Sequence, residues 1–281
     1  MSRVRELFTF SIERKDVKWR NVVNEQLCPY SQKKCYKVRK TQPDISIGTC
    51  TVQYGNDCKD LIICPHRLLE RKQIFTDCLH LLTLHQPGNE LHLIPEVSIP
   101  GGSVDFFLVS TDMNRKVKDF VGIELQALDT TGKVWPEREL ALQELGIKKN
   151  VTYTSNSFGI NWKMTAKTIL VQLHHKIETF ESINKHLVLV IQDHLLEYMR
   201  KEFDFRPVND QPLLGDSMHF HSYKLTKTGK DLKLSLSSRF STDSKGVSEL
   251  LGLKANPNVG FDEIAKLLEA KISDNTIFTF A

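Results

Sequence analysis

Residues His186–Gln192 read His-Leu-Val-Leu-Val-Ile-Gln, with no polar alternation between the two ends. A strand wetted on one face alternates apolar and polar side chains, whereas one that is apolar throughout is covered on both faces. This segment is therefore expected at the centre of a sheet, and the rest of the chain must supply its cover.

Two more apolar runs, Val104–Val109 and Val121–Leu128, are separated by a polar turn and read as strands. Upstream, ELHLIPEVSI reads as a strand broken by Pro95 and closed by Pro100-Gly101-Gly102. Helical spacing recurs in PHRLLERKQIFTDCLHLLTLH through Leu68, Leu69, Ile74, Phe75, Cys78, Leu81 and Leu82. It recurs in NWKMTAKTILVQLHHKIETFESI, with Ile169, Leu173 and Ile177 on one face, and partly in GKVWPERELALQELGIKKN. The order is helix, three strands, helix, strand. That predicts an α/β fold with a mixed sheet flanked by helices. Beyond Phe205, MHFHSYKLTKTGKDLKLSLSSRF suggests a hairpin and GFDEIAKLLEAKIS an amphipathic helix.

All six cysteines, Cys28, Cys35, Cys50, Cys58, Cys64 and Cys78, fall in the first third of the chain. In a reducing compartment such clustering favours a metal over disulfides. Four thiolates suit zinc or iron. No C-x-x-C pair occurs, so spacing does not fix which four bind, and buried free thiols are the alternative. Cys78 falls in the helical pattern and is expected as core packing. The organisation expected is a Cys-rich metal-binding module over residues 1–65, then a second domain over 66–281.

No apolar run approaches the roughly 18 residues that span a bilayer. The N-terminal residues are charged, without a secretory apolar core. The expectation is a cytoplasmic protein with no membrane partner. Net charge is only +4, but SQKKCYKVRK carries five Lys or Arg and no acid. Such clustering is what a polyanion reads, although a solvated loop looks the same.

The two strands nearest the turn carry acids where a core is expected. Asp105 interrupts the first, and Glu124 and Gln126 interrupt the second. Buried carboxylates are costly unless paired or holding a metal. Strand periodicity puts Glu124 and Gln126 on one face with Gly122, which leaves room beside them. If the strands are neighbours, Asp105 and Glu124 converge on one point, where two hard oxygens suit magnesium and a phosphate. Glu96 lies just upstream and could join them. The plainer alternative is a wetted face, or Glu124 paired with a lysine.

An Asp ending one strand and Glu-x-Lys on the next, within α-β-β-β-α-β, resembles the PD-(D/E)xK nuclease core, with Gln126 in place of the lysine. More narrowly, CPYSQKKC, ISIGTC, IICPHR, GGSVDFFLV and GIELQALDTTG, in that order, are similar to the NotI-type restriction endonucleases. The resemblance covers roughly Cys28 to Gln192. It implies a homodimeric, magnesium-dependent type II enzyme that cuts both strands of a palindromic site in double-stranded DNA. It implies Asp105, Glu124 and Gln126 as the catalytic set. It also implies a structural iron (or zinc) held by Cys28, Cys35, Cys50 and Cys64. Gln126 is neutral and can only orient water, so more of the electrostatic work falls on the metal or on another lysine. Lys163 and Lys167, four residues apart on one helix face, are candidates for that charge or for DNA phosphates; a solvated face is the alternative. Two other functions remain open: a metal-dependent DNA-binding regulator without activity, and a structure-selective repair nuclease on the same core.

Overall fold

A computed structural model describes residues 2–148, 158–252 and 266. Apart from Lys266, the expected C-terminal helix lies outside the described residues. The N-terminal part forms a four-stranded sheet from β1 (Val4–Leu7), β2 (Phe10–Ser11), β3 (Thr49–Tyr54) and β4 (Lys59–Ile62), in the order β2-β1-β3-β4. Helix α1 (Trp19–Glu25) and two small hairpins, Leu27–Cys28 with Lys33–Lys34 and Val38–Arg39 with Gln42–Ser46, fill the long connection.

The larger sheet has six strands: β5 (Glu90–Ile99), β6 (Gly102–Thr111), β7 (Val117–Gln126), β8 (His186–Gln192), β9 (Met218–Thr228) and β10 (Asp231–Thr242). Their order is β10-β9-β8-β7-β6-β5. β8 runs parallel to both of its neighbours, and the outer pairs are antiparallel, so the sheet is mixed. Every residue of β8 is buried. Leu187, Leu189 and Ile191 join one core layer while Val188 and Val190 join the other, as an all-apolar central strand requires.

The first layer is covered by α3 (Trp162–Ser182), through Ile169, Leu173 and Ile177, and by α4 (Asp193–Glu202), through Leu195, Leu196 and Met199. Between β7 and α3 the chain also forms α2 (Trp135–Glu144), and after β10 it forms α5 (Ser244–Leu250). Leu68, Leu69, Ile74, Phe75, Cys78, Leu81 and Leu82 cover the second layer.

Those seven residues are buried as their spacing predicts, but not on one helix. The segment is a 3-10 helix over Pro65–Lys72, a four-residue helix over Gln73–Thr76 and a 3-10 turn over Leu79–Leu81. It bends at Glu70 and Arg71, where the backbone is non-helical. The bend seats Glu70 against the buried Arg67 and the Leu234 amide, so tertiary pairing overrides local periodicity. The break expected at Pro95 is absent as well. β5 is continuous through it, because this is the sheet's outer strand and its free edge needs no donor there.

The two sheets share a core: Val52, Leu61 and Ile63 pack with Val104 and Leu189 in one cluster. The Gln192 side chain, at the end of β8, closes the joint. Its Oε1 accepts from Ile62 N at 2.8 Å and its Nε2 donates to Asp60 O at 2.7 Å. Among the described residues, no helix is long and apolar enough to cross a membrane.

Candidate active site

Three neighbouring strands bring the acids together. Between β5 and β6 the pairs Val104–Val97 and Phe106–Pro95 bracket Asp105 and Glu96, which therefore stand opposite each other. Between β6 and β7 the pairing ends at Phe106–Ile123, and one further step sets Asp105 beside Glu124. There the Asp105 carboxylate takes over from the backbone, with Oδ2 accepting from Leu125 N at 2.8 Å. Glu96 is exposed, on a residue with left-handed backbone (φ 53°). The three carboxylates thus form a row graded from solvent at Glu96 to core at Glu124.

Their electrostatics follow that gradient. Burial raises the Asp105 pKa above the usual carboxylate range; the Leu125 amide and the Lys176 charge oppose the rise, and Glu96 adds to it. Glu124 is 5 % exposed. Burial first, and then the Asp105 charge, push its pKa up to about 7, against the pull of Lys176. Lys176 on α3 lies with Nζ 2.5 Å from Glu124 Oε1 and also donates to the Ser103 carbonyl. Of the two plainer readings, a wetted face and Glu124 paired with a lysine, the structure has the second.

Gln126 is half-buried, and its Nε2 donates to the neighbouring Ala127 carbonyl at 2.6 Å. The space expected above Gly122 is not open to the acids: a Cβ there would lie 2.4 Å from Phe180 Cζ, so the ring of Phe180 fills it. Lys163 and Lys167 are exposed on the first turns of α3. They precede Lys176 by thirteen and nine residues, roughly 20 and 14 Å along the axis. The cation at Glu124 is therefore Lys176. Sequence reasoning missed it, yet a signal was there. Lys176 falls on the apolar stripe of Ile169, Leu173 and Ile177, where a lysine needs a buried partner.

Asp105 and Glu96 open into a cleft of about 580 Å³. Lys33, Lys34 and Lys72 line it, with Tyr30, Tyr36 and His66. Two of the five cations of SQKKCYKVRK therefore belong to the same hollow as the acids. Lys37 instead donates to the Ile63 carbonyl, and the Arg39 guanidinium lies 4.5 Å from the centre of the Trp135 ring.

Cys28, Cys35, Cys50 and Cys64 are all buried free thiols, whereas Cys58 is exposed. Cys78 packs in the second core layer, with Sγ 3.7 Å from His221 Nδ1. The first four sense one another. A hydrogen bond between Cys50 and Cys64 lowers the Cys64 pKa and raises that of Cys50. The charges of Cys64 and Cys28 add to the effect of burial in raising Cys35. Burial would raise Cys28, but hydrogen bonds with His66 and Ser31 leave it lowered. Among the described residues, no three His, Cys, Asp or Glu side chains are grouped as ligands of one metal ion.

Compared with known proteins, the chain matches no family model and no curated protein.

Proposed function

We propose that this protein is a type II restriction endonuclease of the NotI-type, on a PD-(D/E)xK core, which hydrolyses double-stranded DNA at a specific palindromic sequence with magnesium. The observation that carries the reading is the placement of Asp105 beside Glu124, at the end of their pairing and next to a lysine-lined cleft. Asp105 and Glu124 fit a magnesium ion: both are carboxylates whose pKa is raised by burial, a cost that a divalent cation relieves. Bound there, the ion would lower the pKa of a water and neutralise charge on the phosphorus. Asp105 presents its carboxylate to the cleft, Glu124 supplies the second oxygen donor behind it, and Glu96 stands at the entrance. Lys33, Lys34 and Lys72 attract the phosphate backbone. Gln126 orients water as a neutral group.

Cys28, Cys35, Cys50 and Cys64 are the residues that would hold a structural iron or zinc, since four buried thiols free of disulfides are the donor type such a metal takes, although among the described residues no three of them are grouped as ligands. A homodimer follows from the need to cut two strands related by a two-fold axis. A cytoplasmic location goes with this reading, since thiols that bind a metal persist in a reducing compartment.

The test is digestion of a sequenced DNA with magnesium, which should give discrete fragments with constant ends. Asp105→Ala should lower cleavage on the order of 100-fold or more, while DNA binding by filter or mobility assay persists. Unchanged cleavage by that variant would remove the assignment. Heterogeneous ends clustered at flaps or lesions would favour the repair nuclease instead. One observation favours a binding protein without activity: Glu124 is already neutralised by Lys176. That reading predicts specific binding indifferent to chelation, with no strand scission.

A further inference from the structure

We propose that Lys176 is the fixed cation of this acid site, a positioning residue that holds Glu124 in place and shares it with an incoming divalent cation. The inference rests on the nuclease reading for its kinetic consequence but not for its metal-binding consequence.

Lys176 is 6 % exposed, on a helix face otherwise made of Leu173, Ile177 and Phe180. A lysine buried among apolar side chains persists only where partners compensate its desolvation. Its partners are the Glu124 carboxylate and the Ser103 carbonyl, two residues before Asp105. One ammonium therefore ties the Glu124 carboxylate to the strand that carries Asp105.

The position is built into the fold. The helix lies against the start of β6 so closely that a Cβ on Gly101 would meet the His175 carbonyl oxygen at 2.1 Å. One on Gly102 would lie 3.1 Å from Lys176 Cε. Gly101 and Gly102 have φ of 94° and 133°, which side chains rarely adopt. The glycine pair thus seats the helix backbone on the strand that carries Asp105. This fixes the ammonium by backbone contact as well as by its own long side chain, the arrangement that preorganises a charged group.

The charge count gives the role. With both carboxylates ionised, as cation binding requires, two carboxylates and one ammonium leave a single negative charge, and Gln126 adds none. A divalent cation at Asp105 and Glu124 inverts that to one positive charge, which suits a phosphodiester. The cation and Lys176 then compete for the same Glu124 oxygens and repel each other. Lys176 should weaken cation binding in the free protein and strengthen stabilisation of charge that develops on the phosphate.

The experiment uses full-length wild type, Lys176→Met and Lys176→Arg. Manganese binding is measured without DNA by electron paramagnetic resonance, and kcat and KM on a cleaved DNA are measured separately. Lys176→Met should bind manganese roughly tenfold more tightly, because a competing like charge is gone. Its kcat should fall on the order of 100-fold while KM changes little, and Lys176→Arg should restore at least part of kcat. Equal manganese affinity in the wild type and the Met variant would overturn the shared-ligand role. Full kcat in the Met variant would overturn the electrostatic one. If wild type cuts no DNA, the nuclease reading fails, and the manganese measurement still decides the role of Lys176. Where the Met variant does not fold, Lys176→Arg carries the test: it should retain wild-type manganese affinity to within a few-fold, and a large tightening would overturn the proposal.

Discussion

At Gly122 a missing side chain sets a distance that the site uses. The ring of Phe180 occupies the place of its Cβ, with Leu187 Cδ1 at 3.1 Å. Phe180 is one turn beyond Lys176 on α3, and Gly122 is two residues before Glu124 on β7. The same contact that closes the core therefore holds the helix where Lys176 can reach Glu124. Gly122→Ala forces the ring and the helix outward. It should cost about 1–3 kcal/mol of stability, the usual range for an overpacked core, read as a lowered urea midpoint. An unchanged midpoint would mean that the helix can shift freely at this point. In the sequence, Gly122 marked space beside an acid. Which group fills that space depends on a phenylalanine 58 residues away, and periodicity carries no such information. Lys176 differs: its place on an apolar stripe was visible, but the identity of its partner was not.

At the level of elements, β9 turns a row of histidines into the core. His219 and His221 are buried on it, and each has one ring nitrogen without a hydrogen-bond partner among the described residues. Burial lowers the His219 pKa to about 4, helped by the nearby His186, and burial with the Arg239 charge depresses His221 further. A histidine whose pKa is lower folded than unfolded stabilises the neutral-pH protein, and that contribution is lost on acidification. For His219 the window runs from about 6.5, the unfolded value, down to about 4. The loss should approach roughly 3 kcal/mol at the acid end. Urea unfolding at intervals across that window should show the decline, and His219→Gln should flatten it; a wild-type-like slope in that variant would contradict the assignment.

Elements were legible where one physical rule governed them. The all-apolar β8, the acid-bearing β6 and β7, the β9–β10 hairpin and the long α3 are each marked by the composition or spacing of their own apolar residues. The segment after Cys64 and the strand through Pro95 were misread because their conformation is set elsewhere. In one case that is a buried ion pair, and in the other a place at the sheet's edge. The row Glu96, Asp105, Glu124 needed strand adjacency, which spacing suggested and the register supplies.

Across the whole molecule, Arg67 does more than bend its own segment. Its guanidinium is fully buried, with Nε donating to Glu6 Oε2, one terminal nitrogen to Glu70 Oε2 and the other to the Leu232 carbonyl, each at 2.7 Å. Glu6 lies on β1 and also accepts from the Thr51 hydroxyl on β3. Leu232 lies on β10, at the far edge of the larger sheet. One cation thus ties the N-terminal sheet, the cleft-lining segment and the last strand together, across the boundary that the cysteine distribution suggested near residue 65. Arg67→Met leaves the buried Glu6 without its counter-ion and Glu70 with Arg71 alone; breaking a buried pair typically costs about 3–5 kcal/mol. Because the tie crosses between the sheets, the loss should appear as one cooperative transition at lower temperature. Adding Glu6→Gln to Arg67→Met should recover part of it, since the second change removes a stranded charge. Calorimetry decides between the two organisations: two resolved transitions in the wild type would show that the sheets unfold separately, and that Arg67 serves only its local bend.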